Sequence, residues 1–404
     1  MKPSLKIDLI QFIRLPIKSL EFFGLWVFIP YPITSIGFWI GVLVRFIVGI
    51  LILIIPTGTQ FLYLVTLIMS GNAEISEIAG IINLVLTELL TSVRLLDLRL
   101  RRKSLTQLMD QLVNIESHCF VDAHKEILET AMKKSRKLYL WLLFLTIFDI
   151  TVHVIIVPAL QGFQTLPLKM DFIIFDVNDE SYFKYICAYQ ILYKPAMLTT
   201  FVALLSLLWS FMMSIISQLD VLIYNFENMN GLVEAMKAER LCDENEAFKE
   251  IFKRCVLHHQ AIIRYLTTFQ NAFGGQMSTT LILSATIIGT TALQILSIES
   301  PTKNITVIIW VLLFLFLTVF ILFGDCYYGD IIRVKSSQLA TAAFACPWLN
   351  KRNELKKNLL IFIAKCQQPL IVMTPILVPV TIQTFTMVMN WTYKGFAVLN
   401  QMKK

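Results

Sequence analysis

Several stretches of this chain approach or exceed the roughly 20 apolar residues that an α-helix needs to cross a hydrocarbon layer, and no single water-soluble core accommodates them. The 404 residues are 56% hydrophobic and only 16% charged, with a mean hydropathy of +0.67, far from the usual soluble mix. Seven spans fit best, at about residues 38–69, 78–98, 138–160, 188–216, 276–296, 305–323 and 376–402. The first is overlong, with a bend expected at Pro56. The last apolar region starts at Leu359 and is interrupted by Pro369, Pro375 and Pro379, which predicts a short helix ahead of the final spanning one.

Orientation follows from the basic residues. The N-terminal segment and the connections after spans two, four and six carry 26 of the 35 Lys and Arg, so that side is expected to be cytoplasmic. The expected class is therefore an all-α, polytopic membrane protein with seven transmembrane helices, N-terminus inside and C-terminus outside. Long helix-rich connections, residues 99–137 and 217–270, extend into the cytoplasm. Cys119, Cys242, Cys255, Cys326, Cys346 and Cys366 fall on that side and Cys187 on the other, so no disulfide is required in the oxidising compartment. Residues 1–37, with Lys2, Lys6, Arg14 and Lys18 around apolar positions, resemble an amphipathic helix on the membrane surface rather than a cleavable signal. The net charge of +7 is spread over separate loops, which argues against nucleic acid as a partner; membrane lipid is the expected surroundings.

Within the last span, Gln383, Asn390, Lys394 and Gln401 lie within about 20° of one line at 100° per residue. A polar stripe on an apolar helix must face protein or water. It serves either hydrogen bonding between helices or the lining of a pore. The ionisable Arg45, Glu88, Arg94, Asp149 and His153 also fall inside spans. Structural roles are expected for them, with Arg94 snorkelling toward the inner face and Asp149 meeting His153 at i, i+4. Cys255, His258 and His259 do not make a zinc site, because adjacent histidines on a helix diverge and a fourth ligand is missing. No metal and no cofactor is expected. Asn304-Ile305-Thr306 matches the glycosylation pattern on an outer loop, close to the membrane. Phosphate loops, nucleophile elbows and paired acids placed for chemistry are not found, so the reading is not an enzyme.

The segment from Cys326 to Gln368 narrows the class. Cys326-Tyr327-Tyr328-Gly329-Asp330, Ser336-Ser337-Gln338-Leu339-Ala340, Ala345-Cys346-Pro347-Trp348 and Leu359-Leu360-Ile361-Phe362 stand in the order and spacing of the C-terminal signature of insect odorant receptors. His258-His259-Gln260-Ala261-Ile262 and the ending from Thr392-Tyr393 to Met402 resemble the same family. Gustatory receptors, the nearest relatives, typically leave five residues between this Tyr and a Gln; here seven separate Tyr393 from Gln401. The resemblance implies an odorant-specific subunit of a ligand-gated, non-selective cation channel, a heterotetramer with the odorant receptor co-receptor. It also implies the plasma membrane of olfactory neuron dendrites. Residues 1–37 then form the N-terminal segment and 38–325 the first six helices with the odorant pocket in their outer half. Residues 326–375 form a cytoplasmic anchor with the first half of helix seven, and 376–404 its pore-lining half. By the resemblance of Phe396-Ala397-Val398-Leu399-Asn400-Gln401-Met402 to the end of the co-receptor, the apolar gate falls on Val398 and Met402 and the polar ring on Gln401, with Asn390 and Lys394 along the same helix. A ring of four Lys394 would repel cations, which predicts a minority of these subunits in the channel; snorkelling toward the outer interface is the other reading of that residue.

For a small volatile ligand the resemblance implies an enclosed pocket, with Ile82, Val85, Phe148, Thr151, Tyr193, Met197, Thr290, Thr291 and Gln294 at fitting depths. A G-protein-coupled chemoreceptor is the main alternative. That class places its N-terminus outside and commonly carries an outer disulfide, against the charge bias and cysteine placement seen here. A secondary transporter would predict an internal repeat with paired broken helices, whereas only the last region is clearly broken.

Overall fold

A computed structural model of the chain describes residues 7–28, 35–71, 74–156, 166, 168–172, 179–241, 243–298 and 305–402. Among these, a 3-10 turn at Leu9–Phe12 leads into α1 (Arg14–Phe22), followed by α2 (Ile36–Met69), α3 (Ile75–Leu100), α4 (Arg102–Asn114) and α5 (Asp122–Ile150). Then come α6 (Glu180–Glu227), α7 (Met229–Arg240), α8 (Glu244–Leu296), α9 (Ile305–Ala345), α10 (Asn353–Cys366) and α11 (Ile382–Met402). Asn304 and Cys242, and the side chains of His153 and Met402, lie outside the described residues.

Five helices, α2, α3, α6, α8 and α9, are long and apolar enough to cross a membrane. The other two expected spans map onto α5, whose first half is charged, and α11, which at 21 residues is about 32 Å long but carries the polar stripe. Length suffices there; apolarity does not. In α2 a π-turn at Ile50–Ile54 lies just ahead of Pro56, where a wider turn accommodates the hydrogen bond that proline cannot donate.

The helix-rich connections are continuous with the spans. α6, α8 and α9 have 48, 53 and 41 residues, about 72, 80 and 62 Å, against a hydrocarbon layer of about 30 Å. They project together beyond the apolar zone at the end where Lys and Arg concentrate, called the basic end below. α6 is the hub, packed by α5, α9, α8 and α1. Its Ser206, Ser210, Ser214 and Ser217 are buried, and small side chains let helices approach closely. Ser210 Oγ meets Ser135 Oγ at 2.8 Å and Ser214 Oγ meets the Tyr265 hydroxyl at 2.7 Å. Gly324 of α9 admits Trp209, whose ring would stand 2.3 Å from a Cβ there. The apolar side of the N-terminal segment is taken up by protein, with Leu9, Phe12, Ile13 and Leu20 buried in the main core.

Between α10 and α11 the chain forms a hairpin rather than a continuing helix. Val380 N–H donates to Val372 O at 2.9 Å and Thr374 N–H to Val378 O at 3.0 Å, around Leu377 at φ +59°. The final helix consequently starts at Ile382, six residues after the position expected from the proline pattern.

Candidate functional site

Two places could act on a ligand or an ion: the outward face of α11, and the polar contacts where α2, α3, α6 and α8 meet. α11 rests on α8 and α9 through Thr384, Phe385, Val388 and Met389, with Phe385 edge-on to Phe323 at 5.4 Å. The opposite face carries Gln383, Asn390, Lys394 and Gln401, all exposed, and Val398 is 56% exposed. A shallow concavity of 410 Å³ runs along this face between Gln383, Thr386, Met387, Asn390, Trp391 and Lys394. Among the described residues the stripe makes no hydrogen bonds to neighbouring helices of its own chain. It points away from them.

Backbone geometry holds α11 in that attitude. Gln270 Nε2 donates to Ile371 O at 2.9 Å and Leu370 N–H to Ser336 Oγ at 2.8 Å, tying the hairpin to α8 and α9. At Gly329 a Cβ would sit 2.2 Å from Val380 O, so only glycine lets α9 seat the strand that leads into α11.

The nine expected pocket residues sit on α3, α6 and α8, and on α5 with the π-turn that follows it. Tyr193 and Met197 of α6 are buried, and the Tyr193 hydroxyl accepts from Gln60 Nε2 at 3.3 Å. The same amide donates to Glu88 Oε1 at 3.0 Å, and Lys194 Nζ lies 3.7 Å from that carboxylate. Val85 and Ile82 belong to a small apolar cluster with Leu64 and Ile81. Thr290 donates to Asn83 Oδ1, and Asn83 Nδ2 to Gln294 Oε1 at 3.3 Å, which joins α3 to α8. Thr291 is buried with its hydroxyl donated to Ile287 O of its own helix. Thr151 likewise donates to Ile147 O, and Phe148 is 52% exposed on the outside of α5. Sequence reasoning missed Gln60 and Asn83, whose signal was a lone amide on an apolar helix, and treated Glu88 as structural.

Arg94 is corrected. Instead of snorkelling it is 0% exposed, with Nη2 donating to Thr280 Oγ1 at 2.7 Å and the guanidinium 5.0 Å above the Phe201 ring. The nearby charge is Asp325 of α9, which accepts from Trp209 Nε1 at 2.6 Å. Four helices, α3, α6, α8 and α9, thus meet around one buried cation and one buried carboxylate, a cost to water exposure that recovers only through such contacts.

At the basic end His124, His258 and His259 are buried and His118 half-buried, and burial lowers the pKa of all four. His258 hydrogen-bonds Gln218 Oε1 at 2.9 Å and stacks on His118 at 5.0 Å, while His259 turns edge-on to Phe362. The two adjacent rings diverge, and among the described residues no group of three or more His, Cys, Asp or Glu is arranged to hold a metal. His124 accepts from Phe120 N–H through Nδ1 and meets Asn225 Oδ1 through Nε2. Burial pulls it from 6.5 down to about 4, against the hydrogen bond to Asn225.

Comparison with known proteins places these features. The family model described as 7tm Odorant receptor matches residues 74–393. Odorant receptor 19a of Drosophila melanogaster is 30% identical over 20% of this chain and 20% of that protein. Odorant receptor 85c of the same species is 27% identical over 45% of this chain and 44% of that protein; the chain thus spans less than half the length of these curated relatives. The structure of the insect olfactory receptor OR5 from Machilis hrabei in complex with eugenol shares the fold, at a TM-score of 0.77 and 14% identity over 98% of both chains.

Proposed function

The chain belongs to the 7tm odorant receptor family, a family of receptors rather than enzymes, and from that premise we propose that it is the odorant-binding subunit of a ligand-gated cation channel whose pore is lined by α11. The observation that carries this reading is the exposed polar face of α11. An unpartnered row of Gln383, Asn390, Lys394 and Gln401 is costly against lipid and needs water or another subunit. A water-filled axis shared by several copies of α11 provides both. On this reading the basic end is cytoplasmic and the C-terminus lies outside. Val398 and Met402 then form an apolar constriction near the outer end, which blocks ions by dewetting until it dilates, and Gln401 supplies the polar ring.

Lys394 argues for a heteromer. Four lysines around one axis would exclude cations, whereas a minority share leaves the path open; the partner is an odorant receptor co-receptor subunit in a tetramer at the plasma membrane of olfactory neurons. The ligand is a small volatile held where Tyr193, Met197, Val85 and Ile82 adjoin the Gln60–Glu88 and Asn83–Gln294 contacts, apolar surface with a few orienting polar groups.

Whole-cell recording tests this directly, with the chain expressed alone or beside a co-receptor, volatiles applied and G-protein signalling blocked. Currents are expected with the co-receptor and unchanged by the block. Odorant currents abolished by it would reject the channel, and normal ion selectivity in both Val398→Ala and Gln401→Ala would reject the pore assignment.

A further inference from the structure

Arg45 and Gly49 stand one turn apart on the same face of α2, and the guanidinium of Arg99, at the end of α3, lies over that face. A Cβ on Gly49 would sit 3.9 Å from Arg99 Nη1. The charges of Arg45 and Arg99 act on each other, and the carboxylate of Glu21, at the end of α1, acts on Arg45. Two cations against one anion leave the group net positive. Nη1 of Arg45 and Nη2 of Arg99 are buried with no hydrogen-bond partner. Arg101, two residues further on, behaves differently, because it is bonded to Asp97 Oδ1 at 2.8 Å and to Asn271 O at 3.0 Å. Like charges held together with unsatisfied donors are unfavourable, and an anion bridging the two forks removes both penalties. Guanidinium pairs match the oxygens of a phosphate particularly well.

The surroundings narrow the source of that phosphate. Leu43, Phe46 and Ile47 on α2 and Leu96 and Leu100 on α3 are exposed apolar side chains on the same two helices. A soluble ion has no use for such surroundings; a lipid lays its acyl chains on them. We propose that Arg45 and Arg99 clamp the phosphate of an anionic lipid with a phosphomonoester headgroup, of the phosphatidic acid kind, in the leaflet at the basic end. The site is independent of the pore and of the odorant, and its test reads lipid binding rather than current.

Purified full-length protein in micelles is offered short-chain phosphatidic acid, phosphatidylcholine or inorganic phosphate, and retained lipid is counted by native mass spectrometry beside a thermal melt. Phosphatidic acid is expected to be preferred over phosphatidylcholine by about tenfold or more, and R45Q/R99Q to lose that preference. R45K and R99K keep the charge but not the fork and are expected to lose part of it; they carry the test if the glutamine pair does not fold, with an unchanged melt in phosphatidylcholine showing that the fold is intact. Equal retention of both lipids, or wild-type preference in every folded variant, overturns the site. Stabilisation by inorganic phosphate equal to that by phosphatidic acid overturns the lipid as its source.

Discussion

Single atoms decide where the last helix sits. Gly329→Ala would drive a methyl group to 2.2 Å from Val380 O, and because backbone must yield, a loss of about 1–3 kcal/mol is expected, measured as a lower thermal midpoint in detergent. Lys394→Gln in channels containing a co-receptor should raise unitary cation conductance, on the order of twofold for one charge removed from the path; unchanged conductance would mean that the lysine reaches the outer interface instead. The stripe containing Lys394 was legible because helical periodicity aligns four polar residues. The seat at Gly329 was visible only as a signature residue, since what it touches is 51 positions away in the chain. Arg94 was misjudged for a related reason. A charge near a helix end can snorkel, and only packing reveals Thr280 and Phe201 against it, with the charge of Asp325 acting on it.

Between elements, the Arg94 and Asp325 centre should behave as a unit. Asp325→Ala removes the buried carboxylate whose charge acts on Arg94 and the acceptor of Trp209, an expected loss of about 1–3 kcal/mol. Arg94→Met together with Asp325→Leu should recover most of it, and monodisperse yield with thermal midpoint for the three proteins tests the coupling. Five of the seven expected spans fall on helices apolar enough to cross a membrane, and those helices proved far longer than their apolar cores. α8 begins 32 residues ahead of the span expected at 276, because charged amphipathic helix continues apolar helix without any break signal. The hairpin before α11 was half legible: Pro369, Pro375 and Pro379 announce an interruption, whereas the Leu377 turn depends on where α8 and α9 hold Leu370 and Ile371.

Across the whole molecule, protonation offers a handle on the projecting bundle. His124, at the start of α5 and outside the expected span, has a folded value of about 4 against 6.5 ordinarily. The unfolded chain therefore binds more protons between those values, so stability rises with pH through that window and is lost as pH falls below about 6.5. At pH 5 the loss from this group is about 2 kcal/mol. His124→Gln, which retains a donor for Asn225, should melt with a smaller difference between pH 7 and pH 5 than the parent protein. The class of the molecule was legible from composition and signature, whereas the facing of a side chain was not: Phe148, chosen by depth, is 52% exposed, while Tyr193 is buried. One feature joins the scattered parts. α8 carries Gln294, bonded to Asn83 of α3, and Gln270 on the hairpin that seats α11, 24 residues or about 36 Å apart on one unbroken helix. Such a rod is a lever arm: a tilt of about 5° pivoting at Gln294 swings the Gln270 amide by about 3 Å, which is the length of the hydrogen bond it makes to Ile371.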